Sequence, residues 1–337
     1  MSKKQNNVTI NDVALAAGVS KGTVDRVLHD RGEVSRKSRD KVLRAIEELG
    51  FSPNIYASLL ASPKDRLIQC LIPEFSEGEF WSLADKGIRE AAKIVSRYGV
   101  RVETVTYDQY DAESFRKACS RILECAPSGV IVAPMFGSVT LSFVKELSEA
   151  GIPYIYVDSK LEEDGYLAYF GMQMYRSGYL CAHILTDGRS VPDTVHVVRI
   201  ARDKAGLSDP TAMRRAGFMD YMSCNFPDVR IENVFIDPND SCSIDSRLDA
   251  AFGSSSGPKF IVMFNSRVHL VADYIGRRGV RDFRVVGFDV LEKNLAALRD
   301  GRVQVLIAQQ MAKQLVAAVS SLTDYLLLGD KVMNRDN

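Results

Sequence analysis

Histidine is scarce in this chain, and much of the usual metal and acid–base chemistry goes with it. The four histidines, His29, His183, His196 and His269, lie far apart with no metal-ligand spacing. No nucleophile elbow and no phosphate-binding glycine loop is present, which argues against an enzyme. The six cysteines, Cys70, Cys119, Cys125, Cys181, Cys224 and Cys242, form no C-x-x-C pair and have no nearby histidine. Set mostly inside apolar runs, they read as reduced core residues of a cytosolic protein, without disulfide or metal roles. No hydrophobic run reaches the roughly 18 residues of a membrane span, and the start, MSKKQNNVTIND, has no apolar core of a secretion signal. The expectation is a cytoplasmic protein with no cofactor and no membrane contact. Net charge is also missing, with 43 Lys and Arg against 43 Asp and Glu. That balance alone would argue against a nucleic-acid partner.

The distribution of charge says otherwise. Residues 1–62 carry ten Lys and Arg against seven Asp and Glu, and the remainder carries the opposite bias. A small basic head on a larger body fits that asymmetry. At 337 residues and 46% apolar, the chain is long enough for more than one core. Within Val8–Ser35 the spacing predicts a helix over about Asn11–Ala17, a break at Gly18, and a second helix after Ser20. Thr9 with Asp12, and Ser20, supply the start signals. Val13, Ala14 and Ala17, then Val19, Val24 and Val27, supply the facing apolar sides. A third helix runs from its cap Ser35 to Leu49, with Val42, Leu43, Ile46 and Leu49 as its stripe and Gly50 as its stop. Asn54 caps a short helix over about 54–61, and Ser62-Pro63-Lys64-Asp65 is a linker. Such a helix pair can lay its second member in a major groove.

The run D-V-A-x-x-A-G-V-S-x-x-T-V-x-R-V from Asp12 to Val27, with Ser35, Arg39, Val42 and Pro53-Asn54 beyond it, resembles the LacI family of bacterial transcription factors. The resemblance implies a DNA-binding domain over 1–62 that includes a hinge helix. Lys21, Gly22 and Arg26 stand where the family's base-reading residues stand, and Arg or Lys can take guanine bidentately. Asp25 could accept from a cytosine amino group or pair with Lys21 one turn away. Asn11, Ser20 and Thr23 suit phosphate contacts, which position without specifying. Leu60, beside the small Ala57, matches the hinge leucine that wedges into the minor groove; the bland alternative is packing of Leu59 and Leu60 on the body. A small head normally gains specificity as a homodimer on a pseudo-palindromic operator. No terminal heptad repeat is present.

From Arg66 onward short apolar runs alternate with amphipathic ones, the pattern of βα units and parallel sheets. Strands are expected at 67–73, 100–108, 129–135, 153–159, 167–172, 194–200, 229–237, 259–265, 283–289 and 303–309. Helices fit, for example, at Leu83–Arg97, Ser114–Leu123, Tyr175–Leu185, Thr211–Cys224 and Leu270–Arg278. Ten strands favour two α/β lobes over one sheet. Residues 66–337 are similar to the type I periplasmic-binding-protein fold, in particular its sugar-binding branch. The similarity implies a first lobe of about 66–172 and 309–326, a second of about 173–308, three crossings between them, and a cleft at strand C-termini. After LLLGDKVMNRDN the family's usual final strand is expected to be missing, leaving one lobe edge incomplete or frayed.

Residues 73–87 read as a polar loop carrying Phe80 and the single tryptophan, Trp81. Aromatic faces stack on sugar C–H faces, although a lone Trp at a helix start also serves as a core anchor. Asp158, Asn265, Asp289 and Gln309 end their strands, where carboxylates and amides can take sugar hydroxyls; each could alone be a turn or cap residue. Arg214 resembles the arginine ahead of a Gly-Phe pair that contacts ligand in this fold, with Arg215 as its neighbouring candidate and Gln173 and Arg202 as weaker ones. These features lead us to expect a DNA-binding transcriptional regulator controlled by a small molecule, most naturally a sugar, held between two lobes. A nucleobase or phosphorylated metabolite is the alternative effector. A sugar-modifying enzyme using Asp158 and Asp289 is the remote one.

Overall fold

The structure, a computed structural model, describes residues 8–28, 32, 34–51, 65–161, 165–188, 190–200, 211–253, 257–329 and 335–336. The expected hinge helix, with Ala57 and Leu60, and the weaker candidate Arg202 lie outside the described residues. Two compact units are present, Met1–Pro63 and Lys64–Asn337.

The first unit carries three helices among its described residues, α1 (Ile10–Ala17), α2 (Lys21–Leu28) and α3 (Arg36–Leu49). Thr9 and Asp12 form a reciprocal capping box, the Thr9 N–H donating to Asp12 Oδ2 at 2.8 Å. Gly18, at φ 63°, turns the chain out of α1. Ser20 accepts from the Thr23 N–H, and Ser35 from the Ser38 N–H. Val13, Ala14, Ala17, Val24, Val42, Ala45 and Phe51 form the core. Two positions of the expected α3 stripe are wrong. Leu43 is 52% exposed and Ala45 is buried instead, because the face set by Val42 continues at i+3 and i+4. Leu49 is also exposed, at 37%.

The second unit opens with β1 (Arg66–Pro73), α4 (Phe80–Val95), β2 (Val100–Tyr107), α5 (Ala112–Cys125), β3 (Gly129–Val132), α6 (Gly137–Glu149), β4 (Tyr154–Val157) and β5 (Tyr169–Gly171). There follow α7 (Met174–Thr186), β6 (Thr194–Ile200), α8 (Ala212–Asn225), β7 (Arg230–Ile236), α9 (Ser241–Gly253), β8 (Lys259–Met263), α10 (His269–Arg278), β9 (Phe283–Phe288), α11 (Glu292–Arg299) and β10 (Val305–Ile307). The chain continues through α12 (Met311–Leu328) to β11 (Arg335–Asp336). One sheet has the order β11-β5-β4-β3-β1-β2, the other β10-β9-β8-β6-β7. Every pairing is parallel. Strands such as Gly129–Val132 and Tyr154–Val157 are buried along their whole length, as helix-covered parallel sheets require.

In each sheet the order reverses beside the first strand, so a crevice opens at the strand C-termini. After β10 the chain returns to the first sheet through α12, whose Leu315, Ala318, Val319 and Leu322 join that core. Close approach there depends on Gly87 of α4, since a Cβ at that position would lie within 2.4 Å of the Ala312 carbonyl oxygen. Two expectations need correction. A final strand is present, because β11 pairs with Phe170 and Gly171 of β5. That strand extends the first sheet, so the described residues show two crossings between sheets rather than three. The cysteines divide as well. Cys70, Cys119 and Cys181 are buried, but Cys125, Cys224 and Cys242 are exposed near helix ends.

Candidate functional site

Asp158 follows β4 and Asp289 follows β9, strands that hold corresponding places in the two sheets. Both residues adopt left-handed backbone, at φ 65° and 68°. This conformation is uncommon outside glycine, though aspartate tolerates it better than most residues. Each N–H still bonds to the neighbouring strand, Asp158 to the Phe170 carbonyl and Asp289 to that of Ile307. Buried side chains hold the carbonyls. The Tyr169 hydroxyl donates to Asp158 O at 2.8 Å, and Asn294 Nδ2 donates to Asp289 O at 3.0 Å. Asn294 also donates to Ser266 O and accepts from the His269 N–H, joining the loop after β8 to the loop after β9.

Arg214 lies in the first turn of α8 and is 4% exposed. Its place is set by the contact of α7 with α8. A Cβ on Gly178 would fall 1.7 Å from Arg214 O, and one on Gly217 would fall 2.0 Å from Tyr175 O. The guanidinium donates to Phe264 O at 2.8 Å and to Gln309 Oε1 at 3.0 Å, and rests over the Phe288 ring. Among the described residues its buried Nε has no hydrogen-bond partner. Gln309 is fixed from behind by Gln314, which donates to its carbonyl. Asn265 accepts from the Arg267 N–H at 2.9 Å, so its side-chain amide nitrogen remains to donate.

Burial dominates the electrostatics of this cluster. Desolvation raises the Asp158 carboxyl to about 6 against the pull of Arg214. Desolvation raises Asp289 further, to about 7, with repulsion from Asp158 added and Arg214 and Gln309 opposing.

These groups line one cleft of about 830 Å³ at the strand exits. The structure brings together on its wall all seven residues singled out from the sequence: Phe80, Trp81, Asp158, Arg214, Asn265, Asp289 and Gln309. Arg215 and Gln173 are not among the lining residues. Residues 73–87 are not one loop, because α4 already begins at Phe80. Trp81 both anchors and lines. It is 7% exposed within the core of the first sheet, packed edge-on against Phe80 with centroids 5.1 Å apart. Among the described residues, charges around the cleft nearly balance, with Glu77, Glu79, Asp158, Asp289 and Glu292 facing Arg199, Arg214, Arg267 and Lys293.

Sequence reasoning missed Tyr169, Asn294 and Gln314, which act on backbone groups and leave no spacing pattern. It also missed the pair Glu79 and Arg267, 3.6 Å apart across the cleft, and the mouth residues Tyr110 and Phe235. In the first unit Asn11, Ser20, Lys21, Gly22, Asp25 and Arg26 are exposed and Thr23 is half-buried.

Residues 9–54 match the family model for bacterial regulatory proteins of the lacI family, and residues 69–331 match the model for the periplasmic binding protein domain. The ribose operon repressor of Lactococcus lactis is 33% identical over 150 residues, which is 44% of this chain and 42% of that protein. The chain thus spans less than half of that relative's length. A solved structure from Bacteroides fragilis, assigned to a LacI transcriptional regulator, is 31% identical with a TM-score of 0.75, covering 81% of this chain and 95% of that one. The lac repressor dimer bound to operator and the anti-inducer ONPF superposes over 98% of this chain and 96% of its own, at 21% identity and a TM-score of 0.61. That likeness is one of fold.

Proposed function

The chain belongs to the LacI family of bacterial regulatory proteins, and from that premise we propose that it is a transcriptional regulator whose operator affinity is set by a neutral sugar held in the cleft. The observation that carries the sugar reading is the cluster of Asp158, Asp289 and Arg214. Two desolvated carboxylates and a guanidinium whose buried Nε has no partner among the described residues call for a ligand dense in hydroxyls, able to donate to the acids and accept from the arginine. Phe80 and Trp81 offer ring faces beside them. A phosphate would have to share the pocket with both carboxylates, and the near balance of charge around the cleft gives it no compensating field. The same carboxylates serve binding without turnover, so no enzymatic step is assigned to them.

Lys21 and Arg26, exposed on α2 with Gly22 and Asp25, read base edges of an operator; Asn11, Ser20 and Thr23 position the helix on phosphates. The protein acts as a homodimer in the cytoplasm, where its DNA lies, with Leu60, beside the small Ala57, as the wedge for the minor groove. Effector binding changes the relation of the two lobes and with it operator affinity, by a coupling of typically about 1–3 kcal/mol. Titration with neutral sugars, sugar phosphates and purines, followed by Trp81 fluorescence and thermal melting, tests the reading. A saturable response to a neutral sugar that also shifts operator binding supports it. Stabilisation by a purine or phosphate alone overturns the sugar assignment.

A further inference from the structure

The cleft is much larger than one sugar needs. A monosaccharide displaces on the order of six waters, roughly 180 Å³ at about 30 Å³ each, against the cleft's 830 Å³. The surplus has a direction. Asp158 and Asp289 stand at the exits of β4 and β9, whereas Tyr110, just past β2, and Phe235, near the end of β7, stand at the opposite edge of each sheet. From β4 to β2, and likewise from β9 to β7, the sheet orders count three strand steps, roughly 14 Å at about 4.8 Å per step. One pyranose ring held by the carboxylates, about 7 Å across at that volume, covers about half of that distance.

What waits at the far edge is a second pair of aromatic rings, one from each lobe. Tyr110 and Phe235 are 39% and 47% exposed, yet both face the cleft. Phe235 carries the Arg199 guanidinium 4.9 Å from its ring centroid, and the Tyr110 N–H is tied to Asp108 Oδ1 at 2.8 Å. Neither ring is spent on a core, and an amphipathic ring left at a ligand mouth is suited to stacking on an apolar face.

We propose that the β2 and β7 edge of the cleft is a second saccharide subsite, so that the effector is an oligosaccharide or glycoside of two or more units. One unit sits at Asp158 and Asp289, and the next stacks at Tyr110 and Phe235. This rests on the saccharide reading given above.

Calorimetric titration of the full chain with D-glucose, D-galactose and D-xylose, and with di- and trisaccharides built from them, tests the proposal. At least one longer saccharide should bind about tenfold more tightly than each of its component monosaccharides, the equivalent of ~1.4 kcal/mol. Tyr110→Ala and Phe235→Ala, alone and together, should erase most of that advantage while leaving monosaccharide affinity unchanged; Phe235→Tyr should retain it. Monosaccharide binding with no gain for any longer ligand, or equal losses for short and long ligands in the variants, overturns the subsite and leaves the sugar reading standing. Failure of every saccharide to bind the unaltered protein overturns both.

Discussion

Replacing Asp289 with asparagine removes one buried charge and keeps the shape of the side chain. Burial lifts this carboxyl from its ordinary 3.8 to about 7. Between those two values the folded state binds more protons than the unfolded state. The stabilisation is therefore complete below the unfolded value and is lost as pH rises through 7. At about 1.4 kcal/mol per pKa unit, the loss above neutrality approaches about 4 kcal/mol. Asp158, lifted to about 6 by the same desolvation, shares Arg214 with it, so the two losses are coupled and a single substitution recovers only part. The gain in melting midpoint of empty Asp289→Asn over the unaltered protein should be larger near about pH 8 than near about pH 5, where only part of the loss has accrued. A gain of ~1–3 kcal/mol corresponds to several degrees for a unit of this size. Effector affinity should fall at both pH values, because the amide replaces one of the two accepting oxygens with a donating NH2. Differential scanning across that pH range, with and without effector, reads both effects. A variant destabilised at about pH 8 as much as at about pH 5 would mean instead that the charged carboxylate is held productively by Arg214 rather than penalised by burial.

Other perturbations follow from the same geometry. Gly217→Ala, which would gain about 1 kcal/mol in an open helix, should instead cost ~2 kcal/mol or more, because its Cβ meets Tyr175 O; a raised midpoint in urea unfolding would contradict the close α7–α8 contact. Asn294→Ala strands the His269 N–H and three carbonyls. It should cost ~2–3 kcal/mol and weaken effector binding further than stability alone accounts for; unchanged affinity in the folded variant would count against its positioning role. Arg267→Ala removes a partly exposed pair spanning the cleft, so it should cost under ~1 kcal/mol in stability. Effector affinity should drop a few-fold and lose its salt dependence, as measured by titration at two ionic strengths.

The two sheets were legible because their strands are Val- and Ile-rich runs bounded by turn residues, and the first unit because caps and apolar spacing agree there. Helices α6, α9 and α11 were not placed from sequence. GSVTLSFVKELSE is crowded with Ser, Thr and Val, SCSIDSRLDAAFG opens on polar residues, and EKNLAALR is barely two turns; tertiary packing on a sheet overrides weak propensity in each. Asp158, Asn265, Asp289 and Gln309 were legible as strand exits because a polar residue after a buried run stands out. The left-handed turn at each aspartate was not, since no glycine marks it. Nor was the double duty of Trp81, whose type fits a core anchor and a ring-stacking face equally well.

The crossing of α7 over α8 at Gly178 and Gly217 places main chain against main chain, and Arg214 contributes its own carbonyl to that contact. The arginine is thus a datum of the scaffold, fixed before any ligand-facing side chain is chosen. Tyr110, Phe235 and Asn265 carry no comparable duty in the core. A change of effector in a designed biosensor is then a matter of repainting those three positions around a stationary cation, with the folding of the body left untouched.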